Sequence, residues 1–185
     1  SCVFGIQAQE QATPLEQVME GLSVRNIGPA GMSGRVTCIA AHPLKTTTLY
    51  AGSASGGLWV SENNGQNWSP LFQNEKVASI GAIAIDPNYP DIIYVGTGEG
   101  NPRNSQTSGY GLYKSYDGGQ NWECIGLEQT RTIHRILINP ENTDELYVGA
   151  TGSAWGDSPR GVFKTTDGGK NWTNSLYIND RTGAG

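Results

Sequence analysis

Two glycine-rich segments of this 185-residue chain collect the side chains best suited to holding a ligand. Residues 98–109 carry Glu99, Asn101, Arg103 and Asn104, and residues 152–161 carry Trp155, Asp157 and Arg160. Carboxylates, amides, guanidinium groups and an indole together suit a peptide, protein or glycan ligand, which offers hydroxyls, amides and flat apolar faces. The same groups also allow a plainer arrangement, in which the loops satisfy their own polar atoms. Arg35 joins the set because Ser79 and Thr132 occupy its place in later repeats, so repeat packing does not demand an arginine there. Its plain reading is a salt bridge to a loop acid such as Glu99. If Glu99 and Asp157 faced each other, they would form a carboxyl pair for glycosidic bond hydrolysis. Inverting enzymes hold such a pair roughly 6.5–9.5 Å apart and retaining ones about 5–5.5 Å. His42, in a turn, and His134, on a strand, do not combine into a metal site, and neither a metal nor a cofactor is expected.

The elements that must position these loops are repeats. Ser61 to Trp68, Ser115 to Trp122 and Thr165 to Trp172 share the pattern Ser/Thr-x-Asp/Asn-x-Gly-x-x-Trp, and their tryptophans lie 54 and 50 residues apart. That period accommodates one four-stranded antiparallel unit. Apolar runs at 36–41, 80–85 and 133–138 each end in a proline turn (Pro43, Pro87, Pro140), and a tyrosine follows seven residues later, at Tyr50, Tyr94 and Tyr147. Second strands are expected at 49–53, 92–97 and 146–150, third strands at 57–61, 111–115 and 161–165, and a fourth carries each tryptophan outward. Four short strands per unit, with an inner strand apolar on both faces, are what a propeller blade requires. The fold expected is therefore all-β: a β-propeller of four-stranded blades, three of them present, at 34–78, 79–131 and 132–179, with a truncated fourth from 180.

Within each turn, the hydroxyl and the carboxylate or carboxamide accept backbone N–H groups. An Asn-Gly or Gly-Gly pair supplies positive φ, and the tryptophan covers the turn. Ser61, Asn63, Gly65 and Trp68, then Ser115, Asp117, Gly119 and Trp122, then Thr165, Asp167, Gly169 and Trp172 are thus structural, and Asn63 could not act as an acid in any case. These residues resemble the Asp-box of bacterial neuraminidase-type repeats. The chain from 22 onward resembles exported Asp-box propellers with sortilin-type N-terminal domains. It is more distantly similar to photosystem II assembly factors, xyloglucan-active glycoside hydrolases and sialidases. The resemblance to the xyloglucan-active enzymes implies a catalytic Asp two residues before a Gly-Gly pair in the first blade, where Ser53-Ala54-Ser55-Gly56-Gly57 has Ala54. The sialidase resemblance implies an aromatic-Arg-Ile-Pro motif ahead of the first box, where Gly34-Arg35-Val36-Thr37 stands instead.

Composition narrows the class. Glycine makes up 26 of 185 residues, and the net charge of -5 offers no basic patch for nucleic acid. A mean hydropathy of -0.42 argues against a transmembrane span. Residues 1–8 read as the tail of a secretory signal peptide cleaved after Ala8, which places the protein outside the cytoplasm, secreted, periplasmic or at the cell surface. Alternatively, Cys2 is a lipoprotein cysteine. Residues 9–33 form a lead-in with a candidate closing strand. Cys38 and Cys124 fall in different layers and are expected as buried free thiols. Three blades do not close a ring, so the remaining blades of a longer chain are expected partners.

Tyrosine-to-tryptophan spacings of 18, 28 and 25 residues confine the length variation to the loops between second and third strands. Long loops on one face of a rigid scaffold gather binding residues. With both enzyme signatures missing, the expectation is an exported, non-catalytic, sortilin-like binding module. The alternative is a glycoside hydrolase whose catalytic groups are completed elsewhere.

Overall fold

A computed structural model describes residues 35–101, 106–153, 156–179 and 181–182. The signal-peptide and lead-in expectations at 1–33, together with Arg103, Asn104 and Trp155, lie outside the described residues. Among the described residues, twelve strands form three antiparallel sheets. The first contains β1 (Val36–Ala41), β2 (Leu49–Ser53), β3 (Leu58–Ser61) and β4 (Ser69–Pro70). The second contains β5 (Ile80–Ile85), β6 (Ile93–Thr97), β7 (Leu112–Ser115) and β8 (Glu123–Cys124), and the third β9 (Ile133–Ile138), β10 (Leu146–Ala150), β11 (Gly161–Thr165) and β12 (Thr173–Leu176). Strands follow one another in order within each sheet, and β1, β5 and β9 occupy equivalent edge positions. This is a three-bladed part of a β-propeller, all-β apart from a single 3-10 turn at Glu128–Thr130 among the described residues.

The core lies in two slabs between blades. One joins Tyr50, Leu58 and Phe72 of the first blade to Ile80, Ile93, Val95 and Tyr113 of the second. The other joins Ala82, Tyr94 and Leu112 to Ile133, Leu146, Val148 and Phe163. A strand sandwiched between two sheets has no solvent face, and β5 is accordingly buried or half-buried at every position. The expectation of inner strands covered on both faces fails for β1 and β9. Val36 and Ile39 are 60% and 67% exposed and Leu137 66%, because a second blade covers only one side of each strand.

Each repeated turn closes on the same bonds. Ser115 Oγ–H donates to Asp117 Oδ1 (2.8 Å) and accepts Gly119 N–H (2.8 Å), while Asp117 Oδ1 also accepts Asn121 N–H (2.9 Å). Thr165 and Asp167 repeat the set around Gly169 and Asn171. Ser61 and Asn63 do so around Gly65 and Asn67. The glycine pair is needed because both residues sit at positive φ, 71° and 95° at Gly118 and Gly119. The second and third turns also grip the preceding blade. Trp122 Nε1–H donates to Leu71 O (3.1 Å) and Trp172 Nε1–H to Ile125 O (2.8 Å). Trp68, in the first described blade, donates to Gly65 O of its own turn (3.1 Å) and is 39% exposed. Trp122 and Trp172 are latches between blades rather than fully buried lids.

Fourth strands begin after the tryptophan, not through it. Cys38 and Cys124 are free and half-buried rather than buried, and burial pushes both thiols above their ordinary pKa, which keeps them protonated and unreactive.

Candidate functional site

The turns between first and second strands bond directly to the turns between third and fourth. Gly118 N–H donates to Asp91 O (2.9 Å) and Gly168 N–H to Asp144 O (2.9 Å), so both sets share one face. Arg35, at the start of β1, and Glu99, just past β6, lie at the opposite strand ends. Arg35 Nε–H and Nη2–H donate to the two carboxylate oxygens of Glu99, a two-pronged ion pair between the first and second blades. The Glu99 side chain is fully buried, whereas that of Arg35 remains 35% exposed. The pair therefore presents a guanidinium to solvent with its counter-charge held behind it. A planar fork suits this arrangement, because two of its five N–H groups engage the carboxylate and the other three face away from it.

Backbone bonds fix the loop that carries Glu99. Gly98 N–H donates to Ser79 O (2.9 Å), Glu99 N–H donates to Thr107 O (3.1 Å), and Ser79 Oγ–H donates to the same Thr107 carbonyl (3.2 Å). Gly100 crosses His134 so closely that a Cβ there would stand 2.5 Å from His134 Cβ. Both His134 ring nitrogens are buried with no hydrogen-bond partner among the described residues. Burial, reinforced by the charge of Arg135, holds the His134 pKa below its ordinary value, so the ring is neutral.

The other candidates lie apart. Asn101 is exposed, and its carbonyl accepts Gln106 Nε2–H (2.9 Å). Asp157 is exposed; with Ser158, Pro159, Arg160, Asn174 and Tyr177 it lines a pocket of about 310 Å³ on the third blade. Arg160 Nη2–H donates to Ser153 O (3.1 Å), while its Nε is buried without a partner among the described residues. The structure thus forms two clusters, Arg35 with Glu99 and Asp157 with Arg160. An Asp157–Glu99 acid/base pair is not formed, because Glu99 is buried against Arg35.

Ala54, at the position where the xyloglucan-active resemblance implies a catalytic Asp, is 2% exposed, and its N–H donates to Arg35 O (3.0 Å). It therefore stands beside the Arg35–Glu99 pair, at the same strand ends. His134 and the pair Lys114 and Tyr116 were not singled out as site residues from the sequence. The available signal was repeat alignment, since Tyr116 stands where the other turns have Glu62 and Thr166.

No protein-family model matches the chain. Among curated proteins it is 28% identical, over 115 residues, to an oligoxyloglucan-reducing end-specific xyloglucanase of Emericella nidulans, an alignment covering 60% of this chain and 13% of that protein. It is 24% identical over 165 residues to a probable oligoxyloglucan-reducing end-specific xyloglucanase of Neosartorya fischeri, covering 82% of this chain and 19% of that protein. The chain thus spans less than a fifth of the length of these relatives. Among solved structures it superposes on an ancestral GH74 enzyme with a TM-score of 0.68, at 23% identity, covering 88% of this chain and 21% of the other. On the GH74 enzyme of Niastella koreensis the TM-score is 0.56, again at 23% identity, covering 74% and 20%. The structures establish the propeller fold. The curated relatives overturn the expectation of a non-catalytic, sortilin-like binder, because both are glycan-cleaving enzymes. That expectation leaned on two absent signatures, at Ala54 and around Arg35, yet each tests only its own positions and not the remainder of a cleft.

Proposed function

We propose that this chain is part of a β-propeller glycoside hydrolase acting on xyloglucan or a closely similar β-glucan. The observation that carries this reading is the similarity to the Neosartorya fischeri xyloglucanase across 82% of the chain. On this reading the Arg35–Glu99 end of the blades faces the substrate. Arg35 donates hydrogen bonds to sugar hydroxyls, and Glu99 fixes its orientation from behind. Ala54 leaves the first blade without the carboxyl that the xyloglucan-active resemblance implies there. The acid/base pair is accordingly assigned to other carboxylates, with Asp157 the one exposed loop acid that this face contributes among the described residues. Export fits the same reading, since a polymeric substrate is met outside the cytoplasm.

The test is incubation of the complete protein with xyloglucan, mixed-linkage β-glucan and sialosides, with product analysis by mass spectrometry. Release of xyloglucan oligosaccharides, abolished by loss of a carboxyl group and not by Ser55→Ala, is the expected result. Absence of turnover on every polysaccharide would refute the proposal.

A further inference from the structure

We propose that the crevice between the second and third blades, on the face opposite Arg35 and Glu99, is an oligosaccharide-binding groove with Tyr116 as its stacking platform. The ligand class rests on the glycan-active reading above, but the site is separate from the one that reading uses.

Comparison of the repeats exposes the groove. The crevice between the first and second blades, lined by Pro70, Leu71, Gln73, Asn74, Gly119 and Gln120, measures about 220 Å³. Its counterpart between the second and third blades measures about 920 Å³. The two crevices differ at one position of the repeat beside them. Phe72, four residues past Trp68, is buried between the first and second blades, edge-on against Tyr113 (5.1 Å between centroids) and Trp122 (5.2 Å). Four residues past Trp122 stands Gly126, which has no side chain to place against Trp172. An opening of this size lies toward the upper end of the range for small-molecule sites, roughly 300–1,000 Å³.

The groove also carries side chains that repeat packing does not require. Tyr116 is 57% exposed, where the other two turns have Glu62 and Thr166. Lys114, only 6% exposed, sets its ammonium 4.6 Å from the Tyr116 ring centroid and 5.1 Å from that of Tyr94. A buried cation against one face of a ring fixes the ring's orientation and leaves the other face for a ligand. Flat, apolar sugar faces stack on such a platform, and planar carboxylates at the rim accept hydroxyl hydrogen bonds. Glu123 and Asp144 line the same crevice, and neither carboxylate has a hydrogen-bond or ion-pair partner among the described residues. Asp167 is already occupied by its turn. Glu123, Asp144 and Asp167 outnumber the ammonium groups of Lys114 and Lys170 in this lining, and the net negative charge favours a neutral, hydroxyl-rich chain over a uronic acid or a sialic acid.

Affinity electrophoresis of the complete protein through gels holding xyloglucan, hydroxyethylcellulose or polygalacturonate tests this. The neutral glucans retard the wild type and polygalacturonate does not. Tyr116→Ala weakens retention about ten-fold at an unchanged melting temperature, Asp144→Asn weakens it less, and Tyr116→Phe retains it. Wild-type mobility in every gel would overturn the groove, as would equal retention of wild type, Tyr116→Ala and Asp144→Asn. Retention lost with Tyr116→Ala in a protein that hydrolyses nothing would establish the groove while refuting the enzyme reading.

Discussion

Removing either partner of the Arg35–Glu99 pair should cost unequal amounts, because the two side chains differ in access to water. In Arg35→Ala the fully buried Glu99 carboxylate loses its counter-charge, and an uncompensated buried charge costs about 3–5 kcal/mol. In Glu99→Gln the carboxamide oxygen still accepts one guanidinium bond. Arg35, 35% exposed, can turn its free donors to solvent, so the loss is that of a hydrogen bond to a charged group, about 1.5–3 kcal/mol. The double variant leaves a neutral amide short of partners, at about 1–3 kcal/mol. The two single losses therefore sum to well above the double loss, with a coupling of about 3.5–5 kcal/mol when matching ends of these ranges are combined. Urea unfolding of all four proteins, read at constant m-value, gives the cycle directly. A loss below about 1 kcal/mol for Arg35→Ala, or additive losses, would refute the assignment of a buried, interblade ion pair.

Further outcomes follow from other contacts. Trp122→Phe, which breaks the indole bond to Leu71 O across the blade boundary, should cost about 1–2 kcal/mol in thermal unfolding; Trp68→Phe, whose bond stays within its own turn, should stay within about 0.5 kcal/mol. His134 is neutral in the fold with its pKa lowered, so stability is full above the ordinary histidine value of 6.5 and falls as pH drops through it; melting curves of His134→Gln should lose that slope. Asp117 and Asp167 are held at about 2, chiefly by hydrogen bonds from Asn121 and Asn171. Their contribution is present above the ordinary value of 3.8 and lost as pH falls from there toward about 2, a step that Asp117→Asn with Asp167→Asn should shrink in acid unfolding. The 185-residue chain alone should self-associate in sedimentation experiments, because Val36, Ile39, Leu137 and Ile178 are each 60% or more exposed at its outer blades.

What the sequence shows well is local. The box turns are legible because a hydroxyl, an acid or amide, a glycine pair and a tryptophan act within eight residues. Strand positions follow from apolar runs that end in proline turns and from the tyrosine seven residues after each proline. The register shifts near Thr37, Gly81 and His134 were not legible, because they answer to the neighbouring blade: Thr37 Oγ1–H donates to Ile80 O of the next sheet (2.6 Å). The Arg35–Glu99 pair was readable as a salt bridge only because Arg35 departs from its repeat. The complete burial of Glu99, and the resulting loss of an acid/base partner for Asp157, depends on packing across blades that spacing does not encode. Lys114 and Tyr116 were hidden for the same reason, since the crevice opens through the absent side chain of Gly126. The two vacant signature motifs, at Ala54 and around Arg35, led the functional expectation astray, because each tests a few positions whereas the similarity to xyloglucanases is spread along the chain.

The most direct measurement is a crystal structure of the complete protein with a xyloglucan oligosaccharide too short to span both faces. The account predicts sugar hydroxyls within hydrogen-bond distance of Arg35, at the strand ends that hold Glu99 and Ala54. An oligosaccharide seated only in the Tyr116 groove, or no bound sugar at all, would contradict the claim that the Arg35–Glu99 end faces the substrate.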